Sequence, residues 1–330
     1  MAFEILILAV AIALVFDFWN GVNDAANSIA TIVSTRVLSP MVAVGWAAWW
    51  NFAAAFGFGV SVATTVGKGI VSTAVIDEVM ILSALVGAIL LVATATYLGL
   101  PVSASHSLIG GLVGAAVAKA GFGIIIADGM LKVLIFIAVA PILGMVIGYS
   151  VMTLTTRISM RINIPRNSNI FKRLQLVSAA GYSLGHGTND AQKTMGIIAV
   201  LLFSAGLLGD TFFVPTWVIL AAHAAIALGT LVGGRRVIKT LGMKITRLKP
   251  IGGFSAETAG AITLIGTALG GIPASTTHTI TGSIIGVGAT KRLSSVKWGV
   301  ARRITWAWVA TIPLSSSIAG LTYLLLRGIV

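Results

Sequence analysis

Leu100-Pro101-Val102-Ser103-Ala104-Ser105-His106-Ser107 recurs in the second half of the chain as Ile272-Pro273-Ala274-Ser275-Thr276-Thr277-His278-Thr279. Gly110 and Gly114 recur at the same offset as Gly282 and Gly286. Upstream, Gly21-Val22-Asn23-Asp24-Ala25 recurs at a slightly shorter offset as Gly187-Thr188-Asn189-Asp190-Ala191. Chance likeness between two apolar segments is common. Two polar motifs repeated in order at nearly one spacing mark a duplication, and the small difference in offset is a change in loop length.

The duplicated unit is written in membrane composition. Of 330 residues, 57% are hydrophobic and 9% charged, and mean hydropathy is +1.01. A soluble chain carries about a quarter charged residues, so the lipid bilayer is the expected surroundings. The absence of cysteine excludes a disulfide framework, a thiolate metal site and a cysteine nucleophile. A bilayer-crossing helix needs about 20 apolar residues. Such stretches occur at 1–19, 41–66, 79–98, 99–118, 130–153, 174–207, 214–233, 251–271, 272–290 and 304–326. Glu4 in the first of them, and its length, argue against a signal peptide. The stretches at 99–118 and 272–290 differ: each opens on Gly-x-Pro, passes through hydroxyl residues and a histidine, and turns glycine-rich. Unpaired backbone in hydrocarbon costs several kcal/mol. These segments are therefore expected as re-entrant helical hairpins, over 79–118 and 251–290, buried in protein.

Net charge is +13, which in a soluble protein would suggest nucleic acid; here it is a topology signal and no nucleic-acid partner is expected. Arg157, Arg161, Arg166, Lys172 and Arg173 form one basic cluster, Arg235, Arg236, Lys239, Lys244, Arg247 and Lys249 a second, and Lys291, Arg292, Lys297, Arg302 and Arg303 a third. All three are expected in the cytoplasm, with Asp77, Glu78, Asp128 and Asp210 opposite. Each half then has about three full spans and one hairpin. An odd number of crossings turns the second copy upside down, the plan of many secondary transporters with a site at the midplane. The fold expected is an all-α integral membrane protein of two inverted-topology repeats, 1–153 and 174–330, joined by a basic linker at 154–173, with both termini external.

The repeated polar residues carry the chemistry. A carboxylate at the bilayer centre costs at least about 2.5–3.5 kcal/mol and marks an ion pathway. Asn23, Asp24, Asn189 and Asp190 offer amide and carboxylate oxygens that suit a hard cation such as sodium, and Gly21 and Gly187 would let the helices break and bare their carbonyls. A buried Asp tying one helix to another is the plainer alternative, which duplication of the pair disfavours. Pro101 and Pro273 stop the incoming hairpin helix, and the hydroxyl residues beyond can start the outgoing one. A helix N-terminus binds anions, so Ser103, Ser105, Ser275, Thr276 and Thr277 are candidate oxyanion donors, although capping of a tight turn would also explain them. His106 and His278 are either packed histidines or ligands and proton carriers. The glycines at 110, 114, 282 and 286 suit close helix packing. Glu257 is a candidate further cation site, Lys193 a partner for Asp190, and Asn27 and Thr194 neighbours of the ions. Trp46, Trp49 and Trp50, with Trp298, Trp306 and Trp308, are expected at the membrane interface. Gly67-Lys68-Gly69 lacks the spacing of a nucleotide-binding loop. No enzymatic activity, resident cofactor or metal other than sodium is expected.

Together these motifs resemble the inorganic phosphate transporter family of sodium- or proton-coupled permeases. The resemblance rests on Gly21 to Thr31, on His186-Gly187-Thr188-Asn189-Asp190-Ala191-Gln192-Lys193-Thr194-Met195-Gly196 in its prokaryotic form, on both Pro-x-Ser-x-Ser/Thr-His segments and on Glu257 in Phe254-Ser255-Ala256-Glu257. It implies a phosphate importer with phosphate at the hairpin tips, sodium at Asn23, Asp24, Asn189, Asp190 and Glu257, and a homodimer in the cell membrane. Some relatives carry sulfate or use protons. An anion channel built on the same duplication is the alternative of another class. Asn51 stands where an acidic residue is expected in animal members, and the large intracellular loop of eukaryotic members is missing.

Overall fold

The computed structural model describes residues 2–57, 59–165 and 168–328; Met1, Phe58, Arg166, Asn167, Ile329 and Val330 of the segments above lie outside them. Among the described residues there are twelve α-helices and no named strand. The first six are α1 (Ala2–Ser34), α2 (Pro40–Ala53), α3 (Ser61–Gly69), α4 (Glu78–Leu98), α5 (Ala104–Ala120) and α6 (Ala127–Arg161). The second six repeat the series: α7 (Asn169–Ser204), α8 (Thr216–Val232), α9 (Arg235–Met243), α10 (Pro250–Leu269), α11 (Thr276–Ala289) and α12 (Trp298–Leu326). Details recur with the order. α2 and α3 meet at 81°, α8 and α9 at 77°. Pro141 lies inside α6 and Pro313 inside α12, at the same offset as the two hairpin prolines.

By length and composition α1, α4, α6 and α12 can each cross a membrane, and each bent pair adds one span if taken together. The chain is a multi-pass membrane protein. The stretches at 41–66 and 214–233 are corrected by the structure. The first is two helices with a sharp break, and the second continues through a bend into α9, whose Arg235, Arg236 and Lys239 open the second basic cluster. The first span is also longer than its apolar start: α1 runs unbroken for 33 residues, through Asn23 and Asp24.

The halves interlock. α5 packs along α12 and α11 along α6, so each hairpin finds its seat on the last helix of the other half. Glycine makes these contacts possible. A Cβ on Gly114 would lie 2.0 Å from the Ser316 carbonyl oxygen, and one on Gly282 or Gly286 2.1 Å from that of Pro141 or Met145. Gly21 and Gly187 do the same work. Neither breaks its helix, contrary to expectation; a Cβ would meet the carbonyl oxygen of Ile226 at 2.2 Å or of Asn51 at 2.5 Å. The helix of a residue lacking a side chain can approach its neighbour's backbone, which is the packing that apolar surroundings reward.

α1 and α7 form the centre, α1 packed on α4, α7, α8 and α9, and α7 on α10, α2 and α3. Residues 20–32 and 185–202 are buried on every side, yet they hold Asn, Asp, His, Lys, Ser and Thr. Helices buried all round are ordinarily apolar. The departure locates the site. Trp308 is likewise no interface anchor: it is buried, stacks on His278 at 3.8 Å between ring centroids, and donates to the Pro101 carbonyl at 3.0 Å. Trp49, Trp298 and Trp306 are exposed.

Candidate functional site

Both hairpin tips are built by one local code. Gly99 and Gly271 take positive φ, +69° and +65°, a conformation that glycine adopts without strain and that ends a helix. Leu100 N–H returns to the Ala95 carbonyl and Ile272 N–H to that of Thr267, each at 2.9 Å. Proline follows, and then Ser103 or Ser275 caps the outgoing helix, its Oγ accepting from His106 N at 3.2 Å or His278 N at 3.3 Å. The two serines are thus engaged as caps. The hydroxyls one to two residues further on reach the carboxylates of α1 and α7.

Thr276 Oγ1 lies 2.8 Å from Asp24 Oδ2 and 2.9 Å from Asp190 Oδ2, so one proton serves two buried carboxylates. Thr277 Oγ1 lies 3.3 Å from Asp24 Oδ1 and 3.1 Å from the Val102 carbonyl oxygen. Asn23 Nδ2 donates to Asp24 Oδ1 at 2.5 Å and to the Val102 oxygen at 3.1 Å, and its Oδ1 accepts from Thr96 at 3.0 Å. Asn27 Nδ2 donates to Thr277 Oγ1 at 2.9 Å. On the α7 side, the Lys193 ammonium pairs with Asp190 Oδ1 and donates to Ser105 Oγ at 2.5 Å and the Ala274 carbonyl at 2.8 Å. Asn189 Nδ2 points to Thr267 Oγ1 at 3.4 Å, and its Oδ1 has no partner among the described residues.

His186 is the site residue that sequence reasoning missed, although it stands in the second motif. Its Nε2 lies 3.2 Å from Asp190 Oδ2 and 3.9 Å from Asp24 Oδ2, and the three candidate ligand atoms lie within 4.8 Å of one another. A hydrogen-bond chain orients the ring. Thr230 Oγ1 donates to the Ile226 carbonyl at 2.8 Å and so accepts from Asn51 Nδ2 at 2.9 Å, which turns Asn51 Oδ1 to His186 Nδ1 at 3.0 Å. Nδ1 therefore carries a hydrogen, and Nε2 is left for a proton or a cation among the carboxylates. The signal in sequence was helical spacing: His186 precedes Asp190 by four residues, one turn.

The remaining candidates fall outside this cluster. Glu257 forms its own station: its Oε1 accepts from Thr31 at 2.5 Å and Gln175 at 3.0 Å, and its Oε2 from Ser178 at 2.6 Å. His106 and His278 face each other across the two tips, 4.7 Å between ring centroids. Thr194 lies beside Asp17, a buried acid on α1 that the sequence analysis did not single out, though it precedes Asp24 by seven residues on the same helix face.

The profile of the phosphate transporter family (PHO4) matches residues 20–319. A probable low-affinity inorganic phosphate transporter of Rhizobium meliloti is 53% identical over 323 residues, covering 98% of this chain and 97% of that protein. One from Bacillus subtilis is 42% identical, with 98% and 97% covered. Among solved structures, one described as the sodium-dependent phosphate transporter superposes with a TM-score of 0.88 at 26% identity, covering 99% of this chain and all of that one. A chain that matches the family profile over residues 20–319 and aligns with these relatives over nearly its whole length belongs to the phosphate transporter family.

Proposed function

We propose that the chain imports inorganic phosphate across the cell membrane, coupled to sodium, by alternating access. The observation that carries this reading is the meeting of opposite chemistries at one point. Two hairpin tips, each the N-terminus of a helix, bring Ser105, Thr276 and Thr277 against Asp24 and Asp190 in the middle of the protein. Helix N-termini and hydroxyls suit an oxyanion, and carboxylate, hydroxyl and carbonyl oxygens suit a hard monovalent cation. Binding both together offsets the cost of bringing either charge out of water. Glu257, with Thr31, Gln175 and Ser178, is a further cation station towards the first basic cluster. The two repeats, 1–153 and 174–330, are inverted about the site and rock around it. The basic clusters lie in the cytoplasm, both termini outside, and the protein is a homodimer.

Radiolabelled phosphate uptake into proteoliposomes under an inward sodium gradient, with proton-gradient controls and sulfate as competitor, tests this reading. Sodium-driven accumulation that resists sulfate is expected. Phosphate flow without accumulation would identify a channel, and sulfate accumulation would overturn the substrate. One observation favours a second reading: His186 Nε2, held towards two carboxylates, is a natural seat for a coupling proton. Uptake driven by a proton gradient alone would establish it.

A further inference from the structure

The duplication extends to single atoms. On the α7 side, Asp190 Oδ1, Ser105 Oγ and the Ala274 carbonyl oxygen surround one nitrogen, the Lys193 ammonium. On the α1 side their sequence counterparts, Asp24 Oδ1, Thr277 Oγ1 and the Val102 carbonyl oxygen, also converge. The nitrogen among them is the Asn23 amide, which is neutral. The helix positions correspond at the offset of the Asn-Asp motifs and the tips at that of the hairpin motifs. By the first of these offsets the counterpart of Lys193 is Asn27. Both cages therefore present a carboxylate, a hydroxyl and a main-chain carbonyl, the donor set of a hard cation. Only one of them already holds a positive charge.

We propose that the Lys193 ammonium is a tethered cation that permanently fills the second of two symmetry-related cation positions, so that the central cluster takes one mobile cation, at Asp24. Charge supports this. Asp24 and Asp190 contribute two negative charges and Lys193 returns one; with the neighbouring His186 imidazole neutral, one remains to be balanced. All three side chains are buried, with Lys193 only 2% exposed, and buried charges persist only when paired. An ammonium on a four-carbon stem is also a compact point charge with three donors, and here all three meet oxygen. The inference rests on the cation-coupled reading of this site and adds its stoichiometry.

The test is equilibrium binding of radiolabelled sodium to the purified full-length protein in detergent, for wild type, Lys193→Asn and Asn27→Lys. Lys193→Asn, which copies the other half, should bind one more sodium per chain than wild type, and its thermal unfolding temperature should rise more steeply with sodium concentration. Asn27→Lys should bind one fewer, which keeps the inference open to refutation should Lys193→Asn not fold. An unchanged number in folded Lys193→Asn, or in folded Asn27→Lys where wild type binds sodium, overturns the inference. The wild-type number separately reads the sodium coupling proposed above. No sodium on wild type but one on Lys193→Asn would remove that coupling while upholding the tethered cation.

Discussion

At the scale of single residues the central cluster makes unequal demands on its members. Among the described residues Asp24 has no lysine or arginine partner and only the His186 imidazole at 3.9 Å, so Asp24→Asn should leave a folded protein that no longer couples uptake to sodium, seen as phosphate uptake indifferent to the gradient. Ser103 and Ser275 are caps, each contributing about 1 kcal/mol to its helix. Ser103→Ala and Ser275→Ala should therefore lower unfolding temperature but retain uptake, whereas Thr276→Val, which strips the shared proton from Asp24 and Asp190, should abolish it. His186→Gln should abolish uptake driven by a proton gradient alone; unchanged proton-driven uptake would remove His186 from the proton chemistry. Much of this cluster was legible in sequence because polar residues inside apolar helices are costly and their duplication is improbable by chance. What escaped was partnership. Nothing in the spelling of Ser103 and Ser105 separates the cap from the residue that reaches Lys193, and His186 depends on Asn51 and Thr230, which arrive from other helices.

At the scale of elements, the glycine-lined faces decide whether the hairpins seat. Adding a Cβ at Gly114 or Gly282 drives it to within about 2 Å of a neighbouring main-chain oxygen, and backbone cannot step aside as a side chain can. Gly114→Val and Gly282→Val should lose the monodisperse peak in size-exclusion chromatography, while Gly45→Ala, with open space around it, should not. These glycines pack as their spacing predicts, whereas Gly21 and Gly187 do not break their helices. A glycine in a polar motif suggests a broken helix and a close helix contact equally, and only the neighbour, α8 or α2, distinguishes them. The sharp bends between α2 and α3 and between α8 and α9 were hidden for a related reason: hydropathy averages over a window and is blind to direction.

At the scale of the whole molecule, duplication was visible in the chain, but the exchange of partners between halves was not, since sequence order says nothing of which copy a hairpin touches. The orientation of the halves is open to direct measurement. With no native cysteine, single cysteines at Lys239 and Arg292 should react with an impermeant reagent from the cytoplasmic side, and those at Asp128 and Asp210 from outside. Labelling of both pairs from the same side would refute the inverted arrangement.

That exchange of partners also sets a clock on synthesis. The glycine face of α5 leaves the ribosome well before α12, the helix that covers it, since all of α6 to α11 must be made in between. At about 5–20 residues per second this is a wait of roughly 10–35 s. Throughout it the nascent N-terminal half holds a small-residue groove with no occupant of its own. A chain interrupted before α12 is thus left with the glycine face of α5 uncovered.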